Sequence, residues 1–429
     1  MFGFFDSQEK KMRDNAANWL ELADKVYHFR RDLLPAAQVA ELRSRRGQLQ
    51  TLLKERAGAE KLKLAIEQLE EVMRRTGGAI YPKSALVENV DFFLVAAIVI
   101  LGIRTYFVQP FKIPTNSMWP TYNGMTPEVY KQPADEPGTA AVVARALAFG
   151  AWPHRLTAPA DGEVLIPVGG SESRGWVHCK TVPGRSWLVL PTDLREYTII
   201  VGDQLVKTRV PLDFDFDWAV YEGFFSTGEN YTPRRLAAEI EKRIEAGQFE
   251  DREVDGERVR CVRTGKRVRA GERAFAFDEL TGDQLFVDRI SYHFMRPAVG
   301  SGFVFRTGHI PAIAEKVGDQ YYIKRLVGTP GDTLEVKEPV LYRNGQPITG
   351  SSAFSAQMKR ADNYTGYLAL GLLAPGETIR IPAQKYFAMG DNSANSEDGR
   401  YWGFVPAKDV VGRPIFVYFP FTQHWGPAR

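Results

Sequence analysis

The pattern of apolar and polar positions changes character twice along the chain. Residues 7 to 76 read as helix, with Leu42, Leu49, Leu53, Leu62, Ile66, Leu69 and Val72 recurring at mixed three- and four-residue steps. Within this stretch Ala36 to Thr76 begins after Pro35 and stops at Gly77-Gly78, which predicts a helical hairpin or short coiled coil with the apolar stripe as its folding seam. Met1-Phe2-Gly3-Phe4-Phe5 is too short, and too soon followed by charge, for a cleavable signal peptide. An uninterrupted apolar run then covers Phe92 to Ile103. As helix it reaches about 18 Å, whereas a membrane span needs ~20 residues and ~30 Å. Extension from Ala85 to Phe107 supplies the length and admits Glu88, Asn89, Asp91 and Arg104 near the two ends. One transmembrane helix over 85–108 is therefore expected. Arg74, Arg75 and Lys83 before it favour a cytoplasmic amino terminus.

From residue 126 onward the period shortens to two. Pro159-Ala160-Asp161-Gly162 is a turn leading into the alternating run Glu163 to Ile166, and Trp187 to Leu190 and Tyr197 to Val201 read as strands. One helix interrupts them, capped by Thr232 with Pro233 in its first turn and running to Gly247. Gly202-Asp203-Gln204-Leu205 and Gly282-Asp283-Gln284-Leu285 echo each other as a repeated hairpin signal. Further strands are expected at Leu285–Ile290, Gly302–Phe305, Tyr321–Val327, Thr333–Val336, Lys385–Met389 and Pro414–Phe419, with a hairpin turn at Asn344-Gly345. The fold class is mainly β. No strand-helix alternation argues for a doubly wound sheet, and no glycine-rich phosphate motif suggests a nucleotide.

A length of 429 residues implies two to three structural units. Hydrophobic content of 44% and 38 glycines suit a packed, turn-rich protein and exclude disorder on a large scale. A net charge of +3 is too mild to argue for nucleic acid, and no basic stripe interleaves with aromatics. Cys179 and Cys261 lack CxxC spacing or a nearby histidine pair, so neither a metal site nor a cofactor is expected; whether they form a disulfide stays open.

The candidate chemistry starts at Phe111-Lys112-Ile113-Pro114-Thr115-Asn116-Ser117-Met118-Trp119-Pro120-Thr121, where two prolines stiffen the chain on either side of one serine. A serine hydroxyl is a poor nucleophile at neutral pH and needs a base within hydrogen-bond reach. None of the six histidines (His28, His154, His178, His293, His309, His424) sits in a setting that suggests a triad, and there is no GxSxG elbow. A lysine can serve if it is neutral, and Lys324, between Tyr321-Tyr322-Ile323 and Leu326-Val327, lies on an apolar strand. Burial disfavours the ammonium; bringing its pKa toward ~8 costs about 3 kcal/mol. Strand alternation sends Lys324 and Arg325 to opposite faces.

Two further stretches add to the serine one: Lys324-Arg325-Leu326-Val327-Gly328-Thr329-Pro330-Gly331-Asp332, and Gly390-Asp391-Asn392-Ser393 continuing through Ser396, Asp398 and Arg400. Three motifs in this order behind an apolar segment resemble the type I signal peptidase family. The resemblance covers residues 85–125 and 280–420. It implies Ser117 as nucleophile and Lys324 as general base, with the Ser117 amide and the Thr115 hydroxyl as oxyanion donors. It also implies that Ser396 orients the lysine, that Asp398 and Arg400 form an ion pair beside it, and that Met118 and Tyr322 wall the substrate pocket. Two positions depart from the commoner pattern, Asn116 and Gly399, where glycine and serine are usual. On this layout 109–125 and 281–429 form the catalytic β domain, and 126–280 is an inserted β-rich domain of unknown role. The expected partners are exported precursors with signal peptides and the lipid bilayer, at the plasma membrane with the catalytic domain outside. Oligomeric state stays open. The alternatives are a membrane-tethered β scaffold for a secretion partner and a soluble Ser-Lys self-cleaving regulator, although no helix-turn-helix is visible for the latter.

Overall fold

The computed structural model describes residues 8–428 except 174, 187–189 and 227. The strand expected over Trp187–Leu190 falls mostly on residues 187–189, and the segment Met1–Phe5 lies outside the described residues as well. Two compact units divide the chain, residues 1–101 and 102–429.

In the first unit the helical region is three helices, α1 (Gln8–Arg30), α2 (Ala36–Lys54) and α3 (Ala59–Thr76); α2 and α3 pack together as the two limbs expected over 36–76, and α1 is an addition to them. The single stripe from 36 to 76 is interrupted at Arg56, which adopts φ 52°, a conformation that cannot continue a right-handed helix. α1 joins the same core through Ala16, Ala23, Val26 and Tyr27, packed with Leu42, Leu49, Leu62, Leu69 and Met73. A fourth helix, α4 (Ala85–Tyr106), is long and apolar enough to cross a membrane, and none of its residues is buried.

The second unit is built on an antiparallel sheet of β1 (Val108–Lys112), β2 (Gln284–Asp288), β3 (Gly302–Arg306), β4 (Tyr321–Gly328), β5 (Lys385–Met389), β6 (Val405–Pro406) and β7 (Val410–Phe419). Its order is β1-β2-β7-β3-β4-β5-β6, with the short strand Gly426–Pro427 added to β7. This sheet is what carries the site. β4 sits between β3 and β5 and pairs Lys324 with Phe303, so the lysine is in the middle of the sheet and not at its margin. A second sheet holds the predicted hairpin, with Asn344 and Gly345 both at positive φ between Val340–Arg343 and Gln346–Pro347.

Residues 126–280 build their own core, on a six-stranded antiparallel sheet whose order runs through Cys179–Ser186, Leu190–Val201, Gly162–Val168, Glu257–Val268 and Phe249–Val254. Gln204–Pro211 pairs with Leu190–Val201 from the side. The predicted helix is Pro233–Glu245, its N-cap Thr232 accepting from the Arg235 amide at 3.2 Å. Cys179 and Cys261 are buried in separate clusters and are not bonded to each other.

Candidate active site

The serine turn is fixed from both sides. Ser117 lies in the 3₁₀ turn Asn116–Met118, and the Met125 amide donates to the Pro114 carbonyl at 3.0 Å to close the loop. Asn116, at a position where glycine is commoner, turns its side chain into the protein: Nδ2 donates to the Met125 carbonyl (2.8 Å) and Oδ1 accepts from the Gly124 amide (3.0 Å). The substitution thus adds a staple to the turn. Gly124 itself must be glycine, since a Cβ there would lie 2.3 Å from the Thr115 carbonyl carbon. From the other side the Asn392 amide donates to the Ser117 carbonyl (3.1 Å) and its Nδ2 to the Asn116 carbonyl (3.0 Å). The first and third motifs are therefore in direct contact.

Lys324 reaches this turn from β4. Its Nζ is 2.6 Å from Ser117 Oγ, and the side chain is only 4% exposed. Burial lowers its pKa to about 8 against the raising charges of Asp398, Asp391 and Glu397. Cleavage that depends on the neutral amine should therefore fall tenfold per pH unit below about 8, a profile that steady-state kcat measured from pH 6 to 10 would reveal. A flat profile across that range would exclude Lys324 as the titrating base.

Behind the dyad lie two buried ion pairs. On the opposite face of β4, Arg325 donates to both carboxylate oxygens of Asp391 at 2.6 to 3.0 Å, to the Gly300 carbonyl and to Thr121 Oγ1. Asp398 and Arg400, both fully buried, pair at 2.8 Å, and Asp398 also accepts from the Gly390 amide at 2.9 Å. Gly399 is closely packed: a Cβ there would lie 2.8 Å from the Ala388 carbonyl, so a serine would require the backbone to shift. Ser396 departs from expectation. Its hydroxyl is buried without a hydrogen-bond partner among the described residues, so it does not hold the lysine here. It packs instead over Gly390, where a Cβ would fall 2.2 Å from Ser396 Oγ and 2.4 Å from the Ser117 carbonyl oxygen. Gly390→Ala should displace the serine turn, lowering kcat about 10²-fold and destabilising the fold by about 1–3 kcal/mol; unaltered kinetics would show that the turn can yield.

Residues 276–419 match the family model described as "Signal peptidase, peptidase S26". The chain is 35% identical over 152 residues to a probable signal peptidase I-1 of Synechocystis sp., covering 34% of this chain and 66% of that protein. Over 120 residues it is 35% identical to a signal peptidase I of Bacillus amyloliquefaciens, covering 28% and 61%. It is 32% identical over 144 residues to signal peptidase I T of Bacillus subtilis, covering 33% of this chain and 67% of that one. The chain belongs to the signal peptidase I family. It thus spans about two thirds of the length of the curated relatives it matches. A crystal structure of a signal peptidase I from Enterococcus faecalis aligns at 27% identity with 28% of this chain and 97% of its own, with a TM-score of 0.22.

Around the dyad of this signal peptidase homologue opens a cavity of about 890 Å³. Ser117, Lys324, the exposed Thr115 and the half-buried Tyr322 all line it. Met118 does not. It is fully buried with Ile113, Tyr122, Leu285 and Val304, because the 3₁₀ turn directs successive side chains to different sides and gives Ser117 the open one. No histidine borders the cavity among the described residues; His309 and His424 pair with Asp409 and Asp283 elsewhere. Two groups of residues escaped the sequence reading. Arg325 with Asp391 was visible only as a charged residue on each of two motifs. The other group is a wall of the cavity formed by Trp176, Arg195, Tyr197 and Leu212 to Asp217, all from the insertion. No local signal marks that wall, because it meets the serine only through the tertiary fold.

Proposed function

We propose that the chain is a membrane-anchored serine endopeptidase that removes signal peptides from exported precursors, with Ser117 as nucleophile and Lys324 as general base. The observation that carries this reading is the approach of the buried Lys324 Nζ to Ser117 Oγ at 2.6 Å. The neutral amine accepts the Ser117 hydroxyl proton as Oγ attacks the scissile carbonyl carbon. The carbonyl oxygen, now anionic, is stabilised by the Ser117 backbone amide and the Thr115 hydroxyl, a donor of this kind being worth about 3 kcal/mol in the transition state. Collapse transfers the Lys324 proton to the leaving amine and leaves an ester on Ser117. Water, deprotonated by the same lysine, then hydrolyses that ester and regenerates the hydroxyl.

The precursor would lie extended in the cavity, with small side chains on the acyl side of the cut packed near Tyr322. α4 would anchor the protein as a single span with residues 1–80 in the cytoplasm, in keeping with Arg74, Arg75 and Lys83 before it. Precursors differing only at the two small positions before the cut test the substrate assignment. With alanine at both, mass spectrometry should locate cleavage directly after the second. Phenylalanine in place of that alanine should lower kcat/KM at least 10²-fold, and equal cleavage of both would contradict the reading.

A further inference from the structure

The inserted residues 126–280 reach the catalytic turn itself. The Trp218 ring meets Trp119, two residues beyond the serine, edge to face at 5.5 Å. Asn395 of the third motif donates to Asp215 at 3.4 Å, and Asn230 donates to Asn363 at 2.9 Å. The segment Leu212 to Asp217 lines the cavity together with Tyr322 and Lys324. Inserted residues thus line the cavity, and a chain bound there would meet them.

The chemistry of that wall is uneven. Asp217 accepts from the amides of Trp176 (2.8 Å) and Val177 (3.1 Å), and Asp215 from the Trp218 amide (3.1 Å) and the Tyr231 hydroxyl (3.3 Å). Burial pushes Asp215 up to about 7 and Asp217 above its ordinary value, so both carboxylates are structural and poorly suited to hold a free charge. Glu397, which also lines the cavity, is paired with Lys316 at 2.8 Å. The cations bordering the cavity besides Lys324 are Lys112 and Arg195, the latter acting on Asp217. Asp213 differs from all of these: it is exposed, lines the cavity, and makes no hydrogen bond or ion pair among the described residues. Its charge is felt at Tyr322, whose phenol is pushed up by burial first and then by Glu397 and Asp213. Tyr322 in turn stands under Lys324 Nζ at 5.5 Å.

We infer that the insertion is a specificity wall of the cleft, on which Asp213 pairs with a basic side chain of the precursor close to the cut. The inference rests on the peptidase reading above. An ion pair at a solvent-reached edge is modest, so a preference of about fivefold is expected and not an absolute requirement. The test uses the full chain in detergent micelles and a set of precursor peptides in which lysine or glutamate stands in turn at each position flanking the cut. Wild type should show a lysine-to-glutamate ratio in kcat/KM of about five at one or two adjacent positions. Asp213→Asn should bring that ratio toward one and Asp213→Lys should invert it. Asp203→Lys, a charge reversal at a turn of the insertion away from the cavity, should keep the wild-type ratio. A ratio near one everywhere in wild type, or one that survives Asp213→Lys, overturns the inference while leaving the peptidase standing. Failure of wild type to cut any member overturns the peptidase reading and this inference with it.

Discussion

Lys324→Met should lower kcat for precursor cleavage by about 10⁴-fold or more while leaving the protein more stable at neutral pH. The loss follows from removing the amine that reaches Ser117 Oγ, a change that leaves the hydroxyl without that acceptor for its proton. The gain follows from linkage. An unfolded lysine titrates near 10.5, whereas burial holds the folded one near 8, so between these values the unfolded chain binds more protons. The stability deficit is absent above about 10.5, grows as pH falls, and is complete below about 8. There it amounts to up to about 3 kcal/mol, which methionine, of similar length and uncharged, would relieve. Urea unfolding of both proteins at pH 7 and pH 10.5 separates the effects. A variant that is inactive and also less stable at pH 7 would mean that the lysine is held by favourable contacts and not against its own desolvation.

The second large effect is expected at the pair beneath the dyad. Arg325→Met would strand Asp391, fully buried, with its carboxylate deprived of three hydrogen bonds from the guanidinium. Breaking a buried pair from one side costs about 3–5 kcal/mol. The same change should reduce activity, because Asp391 precedes Asn392, whose amide and side chain clamp the serine turn. Replacing both partners, as Arg325→Met with Asp391→Leu, removes the stranded charge and should recover much of the stability without restoring activity fully. Denaturant midpoints of the two single variants and the double variant measure the coupling. Additive losses would show that the two residues do not act as a pair.

Much of the site was readable because its chemistry is written in contiguous residues. Ser117 between two prolines and Lys324 on an apolar strand lie in motifs whose neighbours set the backbone, and the structure brings them within hydrogen-bond distance. Asp398 and Arg400 likewise pair as the family resemblance implied. Positions carried over by resemblance fared less evenly, since a motif fixes where a residue sits and not which way it turns. Met118 faces the core, and the Ser396 hydroxyl finds no partner. Asn116 borders the cavity and staples the turn through buried hydrogen bonds to Met125 and Gly124, which its place in the motif does not tell.

The helical region was legible as helix but not as a bundle. α1 presents Ala16 and Ala23 to the core, small residues that leave little trace in a hydrophobic pattern, and the break after Lys54 depends on a single residue at positive φ. The inserted wall was out of reach for another reason. Asp213 and Ser117 are far apart in the sequence, and tertiary contacts such as the docking of Trp218 on Trp119 bring their segments together.

The central claim is that Ser117 and Lys324 together cleave a peptide bond in a signal-peptide-bearing precursor. Its most direct test reconstitutes the full chain in liposomes with a membrane-inserted precursor bearing an Ala-x-Ala site and compares wild type with Ser117→Ala. Wild type should release the mature protein with a new amino terminus directly after that site, and Ser117→Ala, folded by circular dichroism, should release none. Equal release by both proteins would place the nucleophile elsewhere and contradict the account.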